Sequence, residues 1–150
     1  MGLRHAGREL ALRALYQFDM RGEFSNDNLA AFFDTFPADD RTMTFALRLV
    51  DGVWRDRVML DKELANVLEH WSIGRLSRID HNILRLALYE LLRLDEIPAR
   101  VTIDEAIELA KQYGDNDSGR FVNGVLDQLA TRLALKGKGE ENDRSKRAPA

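Results

Sequence analysis

The sequence predicts an all-α fold, and three observations carry this prediction. Apolar residues recur every three or four positions in almost every segment, which is the spacing of one helix face. Glycine or proline interrupts this spacing at distances typical of helix length. No segment shows the alternation of apolar and polar residues, rich in β-branched side chains, that is typical of strands. A chain of 150 residues, 45% hydrophobic and 31% charged, suits one globular domain.

The first half of the chain predicts three helices. An apolar stripe over residues 9–20 indicates the first helix, which Gly22 ends. Residues 28–36 form a second, short helix that stops at Pro37. A long third helix begins at residue 39 or 40, both of which are aspartates, and runs to about residue 71.

A helix that is apolar nearly all round is predicted over residues 79–94. A helix of this kind belongs at the centre of a bundle, because every face of it must be buried. Ser77 and Asp80 resemble a capping box at its start, and Pro98 closes the connection that follows it.

Two further helices complete the predicted domain. Residues 102–105 have the sequence of a capping box, Thr-Ile-Asp-Glu, and the apolar stripe that follows ends at Gly114. The last helix begins at residue 117 or 118, and its stripe extends to Leu133. We therefore place one helical domain at residues 1–135. Residues 136–150 are charged and lack large apolar side chains, so we expect a disordered tail there.

The residue pattern argues against catalytic, metal and membrane sites. The chain has no cysteine, which removes disulfides and cysteine-bound metals and suits a reducing cytoplasm. No two of His5, His70 and His81 have metal-ligand spacing on one helix, and no nucleophile elbow or phosphate loop is present. No apolar run approaches the roughly 20 residues that span a bilayer. We expect no enzymatic activity, no cofactor, no metal and no membrane association.

Charge is distributed unevenly along the chain. The formal net charge is −3, yet residues 1–22 and 136–150 each carry more basic than acidic residues around an acidic body. Such a distribution can confine the binding of a polyanion to one side of the molecule.

The first helix carries candidate RNA-binding residues if it extends to the start of the chain. Arg4, His5 and Arg8 then share one face, and Tyr16 lies roughly in line with His5 three turns later. Cations that bind phosphates beside an aromatic ring that stacks on a base are the parts of a binding surface for single-stranded RNA. The alternative is a solvated basic face, with Tyr16 packed at the edge of the core.

The start of the last helix offers a second candidate element. Phe121 flanks the apolar stripe in the first turn, where exposed N–H groups, Arg120 and Lys111 favour a phosphate. Asp115 and Asp117 oppose this electrostatically. Phe121 is equally well explained as a residue of the core.

Three segments of the chain resemble the NusB family in order and spacing. They are residues 8–16 (RELALRALY), residues 76–91 (LSRIDHNILRLALYEL) and residues 97–127, which include VTIDEAIELAK and FVNGVLD. The resemblance covers residues 3 to about 133, and residues 23–60 match only in pattern.

The resemblance implies a seven-helix all-α fold made of two small helical bundles. It also implies binding to boxA, a short single-stranded RNA element of ribosomal RNA operons, with Phe121 at the RNA site. The family binds this RNA together with NusE, a small-subunit ribosomal protein, in a complex that helps RNA polymerase read through terminators. A cytoplasmic transcription antitermination factor that supports ribosomal RNA synthesis is therefore expected.

The resemblance also directs the region of Asp80, Arg85, Tyr89 and Glu90 toward the ribosomal-protein partner. Capping explains Asp80 without a partner, and surface salt bridges explain the other three.

The chain departs from the family at its N-terminus, where members often have an arginine-rich run. Here only Arg4, His5 and Arg8 are present, with Gly7 between them. We expect a weaker phosphate contact and a shallow dependence of RNA affinity on salt, because few phosphates are neutralised.

Two other functions fit a helical domain of this size. One is a protein-binding scaffold without RNA binding, and self-association into a homodimer stays open. The other is the helical module found at the N-terminus of some ribosomal RNA cytosine methyltransferases, but 150 residues leave no room for their cofactor-binding α/β domain.

Overall fold

Six helices make up the part of the chain that the computed structural model describes, residues 2–68 and 76–139. They are α1 (Leu3–Arg21), α2 (Asn26–Thr35), α3 (Asp40–Val67), α4 (Arg78–Arg93), α5 (Ala99–Tyr113) and α6 (Ser118–Arg132). The all-α prediction is confirmed, and these ranges contain no strand and one helix fewer than the seven implied by the resemblance. The predicted end of the long helix near residue 71 lies outside the described residues. No helix within them is long and apolar enough to cross a membrane.

Side-chain caps fix the starts of three helices. Ser25, Asp39 and Ser77 each accept a hydrogen bond at 2.9–3.1 Å from the backbone N–H three residues further on. Each of these bonds satisfies a donor that the first turn of a helix leaves unpaired. Gly22 ends α1 with φ of 72°, a left-handed conformation that glycine adopts without strain. These caps confirm the predicted C-terminal end of α1 and the predicted starts of α3 and α4, whereas α1 begins at Leu3, six residues before the predicted stripe.

The predicted capping box at residues 102–105 is wrong. Helix α5 already begins at Ala99, directly after Pro98, whose missing N–H costs nothing at a helix start. The Thr102 hydroxyl lies inside the first turn and donates to Glu90 Oε1 at 3.2 Å. The local sequence predicted a later start because Thr102 and Glu105 have the spacing of a capping box. In the structure their side chains bond to other helices instead, Thr102 to Glu90 and Glu105 to His5.

Helix α4 lies at the centre of the molecule, as its apolar composition predicted. It packs against α1, α3, α5 and α6, and every residue from 80 to 91 is buried. Helix α1 packs along α3, and α5 packs along α6. Helices α1–α3 form one small bundle and α4–α6 the other. Helix α4 lies between them and contacts helices of both.

The folded part of the chain extends past the predicted boundary at residue 135. The Lys138 carbonyl accepts a hydrogen bond from the Ala99 N–H at 3.0 Å, and Lys138 Nζ donates to the Glu90 carbonyl at 2.8 Å. Residues 136–139 thus pack against the connection between α4 and α5, although they lack large apolar side chains. The rest of the predicted tail, residues 140–150, lies outside the described residues.

Candidate nucleic-acid interface

Arg8 does not belong to the exposed face on which the sequence placed it. Its guanidinium donates from Nε to Glu90 Oε2 at 2.8 Å and from Nη2 to Glu90 Oε1 at 2.7 Å, and the residue is 2% exposed. It also lies over the Phe45 ring, 5.6 Å from the centroid. The carboxylate of Glu90 neutralises this buried guanidinium, and at 2% exposure Arg8 is not accessible to an RNA phosphate. We therefore remove Arg8 from the predicted interface.

His5 is held between two carboxylates. Its Nε2 lies 2.8 Å from Glu9 Oε1 on the same helix, and its Nδ1 lies 2.7 Å from Glu105 Oε2 on α5. The hydrogen bond to Glu105 raises the pKa of His5, partial burial lowers it, and the charges of Glu105 and Glu9 raise it further. Both ring nitrogens donate when the imidazole is protonated, and in that state His5 joins α1 to α5 through two charged hydrogen bonds.

The contacts between α1 and α5 continue about two turns further along both helices. The Tyr113 hydroxyl donates to Glu9 Oε2 at 3.2 Å and accepts from Arg13 Nη2 at 3.2 Å. The Arg13 guanidinium also lies 5.7 Å from the Tyr113 ring centroid. Sequence reasoning missed this aromatic and cationic pair, because 100 residues separate its members and each alone is an ordinary surface residue.

Three of the predicted cations are exposed, namely Arg4, Lys111 and Arg120. Lys111 lines the same surface depression as His5, and its side chain packs beside Gly119 at the start of α6. Arg120 follows directly in the chain. The structure thus brings Lys111 from the end of α5 next to the first turn of α6 and next to His5 on α1.

Phe121 is half-buried and lines a depression of about 460 Å³. The other residues that line it come from the starts of α4 and α6: Leu76, Ser77, Asp80, Asp115, Asp117 and Ser118. The ring therefore serves as part of a wall rather than as a fully buried core residue. Three carboxylates share this wall, which confirms the electrostatic opposition expected at this helix start.

Tyr16 is half-buried on the turn of α1 between Arg13 and Asp19. Arg13 contacts Tyr113 at the end of α5, and Asp19 accepts a hydrogen bond through its carbonyl from Arg78 at the start of α4. The turn that carries Tyr16 therefore lies along the ends of α5 and α4, on the side where α6 begins. We call the surface formed by His5, Tyr16, Lys111, Arg120 and Phe121 the α1–α5–α6 edge. Arg4 is also exposed, but it lies near Glu96 in the connection between α4 and α5, and we do not count it as part of this edge.

Asp80, which lines the Phe121 depression, has one carboxylate oxygen that is buried and unpaired. The residue is 8% exposed, and its Oδ1 is buried without a hydrogen-bond partner among the described residues. Burial raises the pKa of this carboxyl, and a hydrogen bond with Ser118 counteracts the rise in part. An unsatisfied buried acceptor is costly unless a ligand or water supplies a donor.

The other predicted partner-binding residues are engaged inside the domain. Arg85 donates to Asp61 from Nε at 2.8 Å and from Nη2 at 2.6 Å. Tyr89 is 5% exposed and packs so closely on Gly52 that a Cβ there would overlap its ring. Glu90 is 1% exposed and bonded to Arg8. The prediction of an exposed partner surface from Arg85, Tyr89 and Glu90 fails because α4 is enclosed on all sides by other helices.

Asp61 makes the fold sensitive to acid. Burial raises its pKa, but hydrogen bonds from Arg85 and His81 outweigh burial and lower the pKa to about 2. A lowered carboxyl pKa contributes stability above the unfolded value of 3.8 and loses it as the pH falls toward about 2. We expect Asp61→Asn to lower the free energy of unfolding at neutral pH by about 2 kcal/mol. Urea unfolding between pH 7 and pH 2 should show the variant losing less stability on acidification than the parent; parallel curves would contradict the assignment.

The described residues define a small all-α protein in which two bundles share a central helix and one edge combines exposed cations with aromatic rings. They contain no group of three or more His, Asp or Glu side chains placed to hold a metal ion. The family profile of NusB matches residues 5–131, and the chain belongs to the NusB family.

Relatives and solved structures agree with this membership. The chain is 45% identical over 138 residues to the transcription antitermination protein NusB of Anaeromyxobacter dehalogenans strain 2CP-1, covering 91% of this chain and 96% of the relative. It is 41% identical over 144 residues to that of Geobacter sp. strain M21, covering 91% and 99%. The structure matches T. maritima NusB with a TM-score of 0.78 and 38% identity, covering 94% and 96%. It matches a chain from the complex of antitermination factors NusB and NusE with dsRNA with a TM-score of 0.78 and 29% identity, covering 88% and 98%.

Proposed function

We propose that this protein is a cytoplasmic transcription antitermination factor. It binds boxA-type single-stranded RNA of ribosomal RNA operons together with the ribosomal protein NusE, as part of the antitermination complex of RNA polymerase. Family membership and the identity of the relatives as antitermination proteins support the role. The solved complex of NusB and NusE with dsRNA supports NusE and RNA as partners, and the single-stranded form of the RNA is part of the proposal. The observation that carries the proposal is the clustering of exposed cations and aromatic rings on the α1–α5–α6 edge.

The edge offers phosphates and bases different parts of its surface. Lys111 and Arg120 are exposed beside the first turn of α6, where the N–H groups of a helix start favour an anion. Phe121 follows Arg120 in the chain. It lies in the wall of the depression that also carries Asp80, Asp115 and Asp117. Carboxylates repel phosphate but accept hydrogen bonds from the amino groups of bases. In the proposed complex, the phosphates of the single-stranded RNA face Lys111 and Arg120, and one of its bases faces Phe121.

Only part of the predicted contact set remains available for NusE. Arg85, Tyr89 and Glu90 are engaged with other residues of the chain, so we assign them to the support of α4 rather than to the partner. Asp80 is the one member of the set that lines a depression and retains an unpaired acceptor, and that oxygen is buried beneath the depression. We keep it as a contact for RNA or NusE.

A fluorescence-anisotropy titration with boxA-type RNA, with and without NusE, tests the proposed function. Arg120→Glu should weaken RNA binding and reduce the slope of log affinity against log salt by about 1, since one phosphate contact is lost. Arg55→Glu is the matched control, because Arg55 is an equally charged, exposed residue in the middle of α3, away from the edge.

The result expected for the control is an unchanged slope and affinity. If the parent protein binds no RNA with or without NusE, the function is that of a protein-binding scaffold. If Arg120→Glu and Arg55→Glu weaken binding equally, the RNA lies elsewhere on the protein.

A further inference from the structure

The environment of His5 on the α1–α5–α6 edge differs from that of the other cations there. Both of its nitrogen atoms lie within 2.8 Å of a carboxylate oxygen, one from Glu9 and one from Glu105. The His5 side chain is 17% exposed, and the side chains of Glu9 and Glu105 are 26% and 27% exposed. The contacts of His5 with Glu9 and Glu105 are therefore at the protein surface and within reach of a ligand. The buried ion pair of Arg8 and Glu90 is not.

An RNA phosphate and a carboxylate compete for the same donors on His5. Imidazolium has two N–H groups, and both are used inside the protein. A phosphate oxygen is also an anionic acceptor, so it can bind His5 only by displacing Glu9 or Glu105. Glu105 also places negative charge beside Lys111, which lines the same depression.

Both carboxylates have another donor close by, which makes the exchange feasible. Glu9 accepts from the Tyr113 hydroxyl at 3.2 Å. Glu105 Oε2 lies 4.0 Å from Nη1 of Arg8. A glutamate that releases His5 to a phosphate therefore stays near a donor and is not left as an isolated charge.

We propose that Glu105, with Glu9, acts as an internal competitor for phosphate at His5 and thereby limits the RNA affinity of this protein. The inference rests on the proposed function, because it concerns the same RNA-binding edge. It assigns Glu9 and Glu105 a role that their positions in the sequence did not suggest.

The test compares two charge-neutralising variants on α5. Glu105→Gln removes a carboxylate that contacts His5, and Glu108→Gln removes one that lines the same depression but pairs with Lys111 at 3.8 Å. Both lose one negative charge near the RNA. At about pH 5.5, below the ordinary histidine pKa of 6.5, His5 stays protonated without help from Glu105. Under these conditions we expect Glu105→Gln to tighten binding of boxA-type RNA about three- to tenfold more than Glu108→Gln does, because it frees a charged donor on His5. Lys111 has three N–H donors and only an exposed 3.8 Å pair with Glu108, so it is available to phosphate already in the parent protein. The salt slope should become steeper by about 1, as His5 gains a phosphate.

A double-mutant cycle with His5→Gln separates this competition from general electrostatics. In the His5→Gln background, Glu105→Gln and Glu108→Gln should have equal effects on RNA affinity. Glu9→Gln is a second variant of the same kind, and it should also tighten binding in the presence of His5. Thermal unfolding of each variant shows whether it is folded at the temperature of the titration.

Three results would overturn the inference. Glu105→Gln and Glu9→Gln, in folded protein, could bind RNA no more tightly than Glu108→Gln. They could bind RNA more weakly than the parent, which would mean that the carboxylates hold His5 in position for RNA. The gain could also persist without His5. Failure of the proposed function looks different, since the parent protein itself would then bind no RNA.

Discussion

Glu90→Ala is expected to lower the free energy of unfolding by about 3–5 kcal/mol, because it leaves the guanidinium of Arg8 buried without its counter-charge. Arg8 and Glu90 are 2% and 1% exposed, and two hydrogen bonds of 2.7 and 2.8 Å join them. Glu90 Oε1 also accepts from the Thr102 hydroxyl, so the substitution removes partners from two other helices. Urea-induced unfolding at neutral pH measures the loss.

Two comparisons establish that the loss comes from a buried unpaired charge. Arg8→Met combined with Glu90→Leu removes both charges and should recover most of the stability, since an apolar pair of similar volume avoids desolvation altogether. Glu96→Ala breaks the exposed pair of Arg48 and Glu96 and should cost less than about 1 kcal/mol. A loss in Glu90→Ala as small as that in Glu96→Ala would contradict the buried pair.

Phe121→Ala is expected to weaken binding of boxA-type RNA by about 1–3 kcal/mol, which is the usual contribution of one aromatic ring stacked on a base. The half-buried ring lines a depression of about 460 Å³ at the starts of α4 and α6. Removing it takes away the one aromatic ring of a wall that also carries three carboxylates. Anisotropy titration at fixed salt measures the change in affinity.

A control for lost packing comes from another half-buried ring. Phe24 stacks on Trp54 with centroids 5.3 Å apart and lies edge-on to Phe18, in the α1–α3 bundle. Phe24→Ala should lower the melting temperature without changing RNA affinity. The stacking role of Phe121 is refuted if both substitutions reduce RNA affinity to the same extent, since the loss would then follow from a loosened fold.

Helix order follows from local features of the sequence, which explains why it could be predicted, whereas the seven helices implied by the resemblance exceed the six in the described residues. The helical spacing of apolar residues, the caps at Asp39 and Ser77 and the glycine at position 22 all act within a few residues of one another. The start of α5 was misjudged because Thr102 and Glu105 satisfy a local rule while their partners lie on other helices.

The candidate interface could be predicted only where exposure follows from position in a helix. Lys111 and Arg120 lie at helix ends and are exposed, as expected. Arg8 has the same chemistry as Arg4, yet it is buried because a carboxylate 82 positions later faces it across the core. Sequence spacing within one helix reports which residues share a face, and it does not report which neighbouring helix that face meets.

Glu90 is held by segments from opposite regions of the sequence. Arg8, near the beginning of the chain, bonds its carboxylate, and Lys138, beyond the last helix, bonds its carbonyl. Opening either contact exposes the same point on α4, so the earliest and latest parts of the fold do not come apart independently. Unfolding of the described domain should therefore be a single cooperative event, with the two bundles separating together rather than in sequence.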